Sequence, residues 1–320
     1  MYDVITIGSG TVDAFVETEN RLFLGKNGHI KIPFGYKILI EEVRFDTGGS
    51  GTNTGVAFAR LGLKTAWIGK IGSGTNSQRI IDAMKREKVD TSLVKREKND
   101  RTGFSVILDA SGHDRTILAY KGSNDDLSIN DIDLRKLNTR WIYLGSMMGK
   151  AFGTIEKVAA YAHKKGIKVA FNPSAYLAKK GIRFLGNILK NVDLLVLNKE
   201  EAQYLVGKKS MDEMLKSLNK LGPSISIITD GKKGSHAYDG RFEYSIIPPK
   251  VKVIETTGAG DSFASGVLAG LLKKGDIEFA LQLGQKEAES VISHPGAKNI
   301  LLTWKQAEKI KGRKVVKRRL

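Results

Sequence analysis

Cysteine is absent from this chain of 320 residues. A disulfide framework and a metal site built on thiolates are therefore both excluded. Long apolar runs are missing as well, since none reaches the ~18 residues that a membrane-spanning helix needs. Residues 1–3 lead straight into an apolar strand, with no secretory leader before it. These absences predict a cytoplasmic protein without a membrane partner.

Acidic residues are scarce relative to basic ones. The chain has 52 Lys and Arg against 34 Asp and Glu, so its formal net charge is +18. This excess favours anionic ligands such as nucleotides or sugar phosphates, and it permits nonspecific contact with nucleic acid. A general bias of the organism's proteins toward basic residues would produce the same excess, so charge alone does not identify a ligand. The hydrophobic fraction of 41% is enough for one large domain, or for a domain with an appendage.

A complete dinucleotide-binding turn is also missing. An apolar run ends in Gly8 and Gly10, but Asp13 stands where the motif requires its third glycine. No helical periodicity follows, which argues against a dinucleotide-binding dehydrogenase. Short β-like pieces follow instead, and they predict a small sheet outside the main α/β layer. These pieces lie at 14–16, 30–32, 38–40, 102–108 and 115–120.

Regular alternation of strands and helices begins at Trp141. Strand-like runs at 141–144, 168–171, 194–197 and 225–228 are separated by helical patterns at 154–165, 182–190, 199–206 and 211–221. This pattern is typical of a parallel sheet covered by helices, in which ligands bind at the carboxyl ends of the strands. Asn172, Asn198 with Glu201, and residues 229–231 fall at such ends. A last long helix is expected at 276–294, and the basic tail at 305–320 is expected to fray.

The most informative stretch is the glycine-rich run at 256–261. A β-branched run at 251–254 predicts a strand before it, and an apolar period at 263–272 predicts a helix after it. The free N–H groups at the start of that helix favour a phosphate or a developing oxyanion. Asp261 stands at the mouth of this turn, where a base could take a proton from an attacking hydroxyl. A simple helix cap is the alternative interpretation of Asp261.

A second glycine motif, at 48–53, precedes a helix expected at 54–61. Gly48 and Gly49 allow the backbone to come close to a ligand. Asn53 can both donate hydrogen bonds to hydroxyls and accept them. A flexible loop before a helix is the alternative interpretation of this motif.

These two motifs resemble the two signatures of the ribokinase (PfkB) family of sugar and nucleoside kinases, and the resemblance covers essentially the whole chain. Asn198-x-x-Glu201 is similar to the family motif that helps to place magnesium and phosphates. Thr229-x-Gly231-x-x-Gly234 is similar to its nucleotide loop. The resemblance implies a single domain over 1–320 with a mostly parallel central sheet flanked by helices. It also implies a small β-sheet lid, formed by about 14–46 and 102–120.

The resemblance implies ATP-dependent transfer of the γ-phosphate to a primary hydroxyl of a small sugar, as in ribokinases and fructokinases, with Mg²⁺ as cofactor. Nucleosides are the alternative acceptors, and a non-catalytic relative that binds nucleotide or RNA is the alternative class. Asp261 argues against that class, because a binding protein needs no base there. A nucleic-acid partner is not expected, and a homodimer through the lid is consistent with the family.

The resemblance also implies a role for individual residues. Asp261 would be the general base, and backbone N–H groups of Gly258, Ala259 and Gly260 would form the anion hole. The acceptor would be held by Asp13, Gly48, Gly49 and Asn53. The nucleotide would be bordered by Asn198, Thr229, Gly231 and Gly234, with Gln285 near the adenine and Glu201 holding magnesium through water.

Several positions depart from the family pattern. Glu255 replaces the usual Asp at the start of the late motif, Ser50 replaces the Lys of ribokinases proper, and Gln285 replaces a common Asn. The stretch 72–76 lacks the usual pair of Asp residues. These departures weaken free ribose as the acceptor. Because Glu255 is one methylene longer, its carboxylate is expected to turn away, toward a lysine for example, so a monovalent-cation requirement is not expected.

Overall fold

The computed structural model describes residues 1–17, 34–35, 37–98, 101–109, 116–294, 296–310 and 313–320. The strands are β1 (Tyr2–Ile7), β2 (Thr11–Glu17), β3 (Glu42–Gly48), β4 (Thr65–Ile68), β5 (Lys70–Ile71), β6 (Lys95–Arg96), β7 (Gly103–Asp109), β8 (Thr116–Tyr120), β9 (Thr139–Leu144), β10 (Lys168–Phe171), β11 (Leu194–Asn198), β12 (Ile225–Thr229), β13 (Ser235–Tyr238), β14 (Phe242–Ile246) and β15 (Val316–Arg319). The α-helices are α1 (Ser50–Arg60), α2 (Thr75–Arg86), α3 (Gly149–Lys164), α4 (Ala175–Ala178), α5 (Gly181–Leu189), α6 (Lys199–Val206), α7 (Met211–Asn219), α8 (Ala259–Lys274), α9 (Ile277–Ile292) and α10 (Trp304–Ala307).

The main sheet has the strand order β15-β14-β13-β12-β11-β10-β9-β1-β4. The strands from β12 to β4 run parallel, whereas β13, β14 and β15 extend the sheet in antiparallel fashion. Successive residues of one strand point to opposite faces, so Ile5 and Ile7 pack into one core while Val4 packs into the other. Because both faces are buried, the parallel strands are almost entirely apolar, as the sequence predicts.

Helices cover both faces of this sheet. Residues of α3 to α7 pack on one face, and residues of α1, α8 and α9 pack on the other. The backbones of α8 and α9 lie unusually close. A Cβ atom on Gly266 would lie 2.8 Å from Gly284 Cα, and one on Gly270 would lie 2.6 Å from Ala280 Cα. Small residues at this crossing therefore fix α8, and with it the glycine-rich turn at its start.

The small sheet has the order β3-β2-β7-β8, which confirms a second sheet outside the main layer. Its inner side packs through Val12 against α1 and α2. The piece predicted at 38–40 is not a strand. The strand is β3 instead, because its residues pair in unbroken register with β2, from Thr11 opposite Gly48 to Glu17 opposite Glu42. The piece predicted at 30–32 lies outside the described residues, as do 18–33, 36 and 110–115 of the predicted lid.

Two further predictions were wrong. The run at 251–254 forms no strand, because the N–H groups of Ile254 and Glu255 donate to the carbonyl of Ile292 at the end of α9 and not to a neighbouring strand. The tail does not fray over its described residues, since it contains α10 and β15. In β15, Arg318 forms ion pairs with Glu243 and with Asp212, so this basic residue is paired.

Some helices begin earlier than their apolar periodicity indicates. α1 begins at Ser50, α3 at Gly149 and α8 at Ala259, four or five residues before the predicted starts. Their first turns consist largely of small or polar residues, which carry no apolar signal. Within the described part of the chain, no helix is long and apolar enough to cross a membrane.

Candidate active site

The glycine-rich turn forms the start of α8. Gly258 adopts φ 79°, a left-handed conformation that favours glycine, and a Cβ atom there would lie 2.5 Å from the carbonyl oxygen of Ala297. Ala259, Gly260 and Asp261 follow in the first turn of α8. The backbone N–H groups of such a turn carry the positive end of the helix dipole, so the turn is suited to bind an anion.

Asp261 joins the two glycine motifs. The side-chain amide of Asn53, on α1, donates a hydrogen bond of 3.0 Å from Nδ2 to Asp261 Oδ2. Burial raises the pKa of Asp261, while the bond from Asn53 and the positive charge of Lys298 act in the opposite direction. Asp261 does not cap α8, because the N-cap is Gly258 and no described side chain caps this helix. A half-buried carboxylate beside a turn suited to an anion has the chemistry of a base.

Asp13 and Gly48 meet on adjacent strands of the small sheet. Thr11 Oγ1 donates to Asp13 Oδ1 over 3.1 Å, and a Cβ atom on Gly48 would lie only 2.0 Å from Asp13 Oδ2. Glycine is therefore required at 48 to leave room for this carboxylate. Burial raises the pKa of Asp13, and hydrogen bonds from Ser105 and Thr11 oppose that shift.

Gly49 follows with φ 98°, and a Cβ atom there would lie 2.4 Å from the carbonyl oxygen of Ser9. Asp13, Gly48, Gly49 and Asn53 thus lie along the junction of the small sheet with α1, next to Asp261. The structure brings the four predicted acceptor residues together there.

A cavity of about 280 Å³ opens at the carboxyl ends of the parallel strands. It collects six predicted residues, which are Asn198, Glu201, Thr229, Gly258, Gly260 and Asp261, and also Asn172. Sequence reasoning missed Ser146 and Ser174, whose hydroxyls lie 2.6 Å apart on its wall. Isolated serines after strands carry no spacing signal. The hydroxyl of Ser50 also lines this cavity, is buried, and has no hydrogen-bond partner among the described residues.

Asn198 and Glu201 form a reciprocal cap at the start of α6. Glu201 N–H donates to Asn198 Oδ1, and Asn198 N–H donates to Glu201 Oε2, both over 2.9 Å. Burial raises the pKa of Glu201 to about 7. A cation in the cavity would offset that desolvation, so the side chain fits magnesium. Groups of three or more His, Cys, Asp or Glu side chains that could hold a metal ion are absent from the described residues.

The predicted nucleotide loop follows β12. Gly234 has φ 97°, and a Cβ atom there would lie 2.0 Å from the carbonyl oxygen of Ile246, so this turn needs glycine. Gly231 also has a positive φ, of 52°. Thr229 lines the 280 Å³ cavity, whereas Gln285 lines a separate cavity of about 340 Å³ with Gln282, Lys286 and Arg313.

The carboxylate of Glu255 contacts the segment after α9, which also packs against the glycine-rich turn at Gly258. Its Oε2 accepts a hydrogen bond of 2.7 Å from the backbone N–H of Gly296. This contact is made with a backbone amide, and the expectation that the longer side chain removes a monovalent-cation requirement stays a prediction. The contact ties the start of the late motif to the segment after α9.

Lys298 is the main residue that sequence reasoning missed. Its side chain is buried, and its ammonium donates to the carbonyl of Thr47 and lies 3.4 Å from Asn53 Oδ1. Burial lowers the pKa of Lys298 to about 8, while Asp46, Asp13 and Asp261 oppose the shift. The segment Gly-Ala-Lys-Asn predicts an exposed lysine, because lysine is rarely buried unless it is paired.

A mostly parallel α/β sheet, a helix N-terminus suited to an anion and an adjacent carboxylate fit the class of phosphotransferases that act on hydroxyl groups. The model of the pfkB family carbohydrate kinases matches residues 4–304, and the chain belongs to that family. Sugar kinases of this family are phosphotransferases with a hydroxyl acceptor.

Comparisons with individual relatives agree with this family assignment. An uncharacterized sugar kinase of Archaeoglobus fulgidus is 30% identical over 250 residues, which cover 76% of this chain and 97% of the relative. Ribokinase of Bacillus subtilis is 26% identical over 97% of this chain and 99% of its own length. The crystal structure of adenosine kinase from Sinorhizobium meliloti matches with a TM-score of 0.82 at 23% identity, over 96% of this chain and 98% of that one. The ribokinase-like fold predicted from the sequence is thereby confirmed.

Proposed function

We propose that this protein transfers the γ-phosphoryl group of ATP to a primary hydroxyl of a small sugar, with Asp261 as general base. The observation that carries the proposal is the hydrogen bond of 3.0 Å between Asn53 and Asp261. It joins a residue of the acceptor motif to a carboxylate at the mouth of an anion-binding turn. Such a junction is where an acceptor hydroxyl and a transferring phosphoryl group must meet.

In the proposed reaction Asp13 and Asn53, with the backbone at Gly48 and Gly49, hold the acceptor. Asp261 takes the proton of its primary hydroxyl as the oxygen attacks the γ-phosphorus and the bond to the β-phosphate oxygen breaks, which releases ADP. Backbone N–H groups of Gly258, Ala259 and Gly260 stabilise the charge on the transferring group. Positioning and electrostatics are the main requirements of this chemistry.

The nucleotide would be bordered by Asn198, Thr229, Gly231 and Gly234. Glu201 would hold Mg²⁺ through water, and the ion when bound supplies positive charge to the phosphate oxygens. The cavity of Gln285 would receive the adenine. Besides Gln285, five basic or amide side chains line it, which are Gln282, Lys286, Gln306, Lys309 and Arg313.

The small sheet would serve as the lid over the acceptor, and its outer surface would serve as a homodimer interface. β8 lies at the edge of this sheet and all its residues are exposed, including Ile117 and Leu118. An exposed apolar edge strand favours pairing with another chain. Sedimentation equilibrium tests whether the protein is a dimer. Replacement of Leu118 by a charged residue should then dissociate the dimer into monomers.

The decisive experiment is a panel of acceptors assayed for acceptor-dependent release of ADP from ATP. The panel contains ribose, fructose, other hexoses, sugar phosphates and nucleosides, with acceptor-free reactions as controls. We expect turnover with a sugar. Turnover with nucleosides alone would move the assignment to the second candidate, a nucleoside kinase. Nucleotide binding without turnover on any acceptor would favour a non-catalytic protein.

A further inference from the structure

Lys298 places a charge inside the molecule that none of the described roles uses. It lies between α9 and α10, and only 6% of its surface is exposed. Its ammonium contacts the carbonyl of Thr47, lies 3.5 Å from Thr52 Oγ1 and lies 3.4 Å from Asn53 Oδ1. Removing an ammonium from water is unfavourable unless the site gives something in return. The burial therefore calls for a reason.

The charges that face Lys298 are mostly negative. Asp13 and Asp46 approach from the small sheet, Asp261 from α8, and Glu87 from the end of α2. The nearest positive group is Arg60, which donates to Glu87 and to the backbone carbonyl of Lys298. Arg79 and Arg86 are exposed and line the same surface cavity as Lys298. The buried ammonium thus lies among carboxylates of both the acceptor site and the base.

The contact with Asn53 decides the orientation of its amide. An ammonium group can only donate hydrogen bonds, so the atom of Asn53 that faces Lys298 must be the carbonyl oxygen. The NH₂ group then points the other way, toward Asp261 Oδ2 at 3.0 Å. Without the ammonium, only the repulsion between an amide oxygen and the Asp261 carboxylate would oppose the reversed orientation.

We propose that Lys298 is a positioning residue, which locks the amide of Asn53 so that its N–H group holds Asp261 Oδ2 and leaves Oδ1 for the acceptor hydroxyl. This inference rests on the proposed role of Asp261 as base. It extends that role to a residue outside the glycine motifs. The ammonium also favours the ionised form of Asp261 through space, as its effect on the pKa of that group shows.

Lys298→Met removes the charge and keeps the approximate length of the side chain, and Lys298→Gln keeps a donor without the charge. We expect kcat to fall roughly 10- to 100-fold in the Met variant and less in the Gln variant. The acid limb of the pH–rate profile should move upward by about one pH unit in both variants. Binding of ATP should not change. Lys157→Met, which removes an exposed lysine on the far face of the sheet, serves as the matched control.

Asn53→Ala supplies the coupling test. If Lys298 acts through Asn53, the Met substitution should lower kcat far less in the Asn53→Ala background than in the native chain. Equal factors in both backgrounds, or an unmoved acid limb, would overturn the proposal. Should the Met variant fail to fold, the Gln variant carries the same comparison.

A crystal structure of the Gln or Met variant tests the inference without turnover. We expect the distance from Asn53 to Asp261 to exceed hydrogen-bond range in the Met variant. An unchanged contact of about 3.0 Å there would contradict the proposal even for an active enzyme. Absence of turnover in the native protein on every acceptor would instead contradict the proposed function.

Discussion

The main sheet and the small sheet of this protein differ in how they are covered. β4 of the main sheet is buried at every residue, whereas β8 of the small sheet is exposed at every residue. Helices cover both faces of the main sheet, while the small sheet is packed from its inner side. Packing on both faces holds side chains in one arrangement, and an open face leaves them freer to move.

The proposed site lies where these two regions meet. Asp261 and its anion-binding turn belong to the packed body, because α8 is fixed against α9. Asp13 and Gly48 belong to the small sheet. We therefore expect substitutions in the body to change kcat and substitutions in the small sheet to change the KM of the acceptor, with little crossover.

The largest effect should come from Asp261→Asn. Loss of a positioned base lowers kcat by ~10²–10⁴, while ATP binding and the unfolding transition should stay close to those of the native protein. Steady-state kinetics with the best acceptor measures this, and Asp82→Asn on the exposed side of α2 is the control. A decrease of less than about threefold would show that Asp261 is not the general base.

Asp13→Ala should act on the acceptor. Loss of a charged hydrogen-bond acceptor should raise the KM of the sugar by about 10- to 100-fold, with a smaller change in kcat and none in the KM of ATP. Thr11→Val, which removes the hydroxyl that donates to Asp13, should show the same direction with a smaller size. A change confined to kcat would break the proposed division between the two regions.

Glu287 tests the packed body by itself. Its side chain is fully buried on α9, and burial raises its pKa to about 8, mainly by desolvation. In the unfolded chain this group ionises near its ordinary pKa. The free energy of unfolding is therefore highest below that pKa, and it decreases as the pH rises from there through about 8. We expect a loss on the order of 3 kcal/mol in the free energy of unfolding between pH 5 and pH 9.

Glu287→Gln should remove the contribution of Glu287 to this slope, because the variant cannot ionise at 287, and should leave the contribution of Glu201, whose pKa is also raised. Urea unfolding at pH 5 and at pH 9 measures the slope. Glu308→Gln, at an exposed position, is the control and should keep the native slope. Equal slopes in the native protein and the Glu287 variant would show that the group is already ionised in the fold.

Hydrogen exchange addresses the small sheet. If it closes over the acceptor, amides of β2, β3, β7 and β8 should exchange more slowly when the acceptor is present, and in step with one another. Amides of β10 and β11, in the centre of the main sheet, serve as the internal control. Unchanged exchange in the small sheet at saturating acceptor would argue against a lid.

The smallest effect concerns monovalent cations. Glu255 Oε2 accepts from Gly296 N–H, and its side chain is one methylene longer than the usual Asp, so we expect it to alter the oxygen positions that a monovalent cation would require. We expect exchange of sodium for potassium at constant ionic strength to change kcat by less than about twofold, and Glu255→Asp to restore some dependence. Strong activation of the native enzyme by potassium would contradict this assignment.

The sequence by itself determined the features whose cause is local. Apolar runs and helical periods located the strands β9 to β12 and most of the helices between them, because burial on both faces requires apolar residues. The glycines at 48 and 258 were identified because close backbone approach needs that residue type, and Asp261 because it stands in the first turn of a helix.

Only the tertiary structure decided the features whose cause lies far away in the chain. β3 takes its register from β2, the basic tail is held by its pairing with β14 and by the ion pairs of Arg318, and 251–254 is turned aside by the end of α9. Lys298 is the clearest case. Its residue type predicts exposure, and its burial follows from carboxylates on three other elements that come together only when the chain folds.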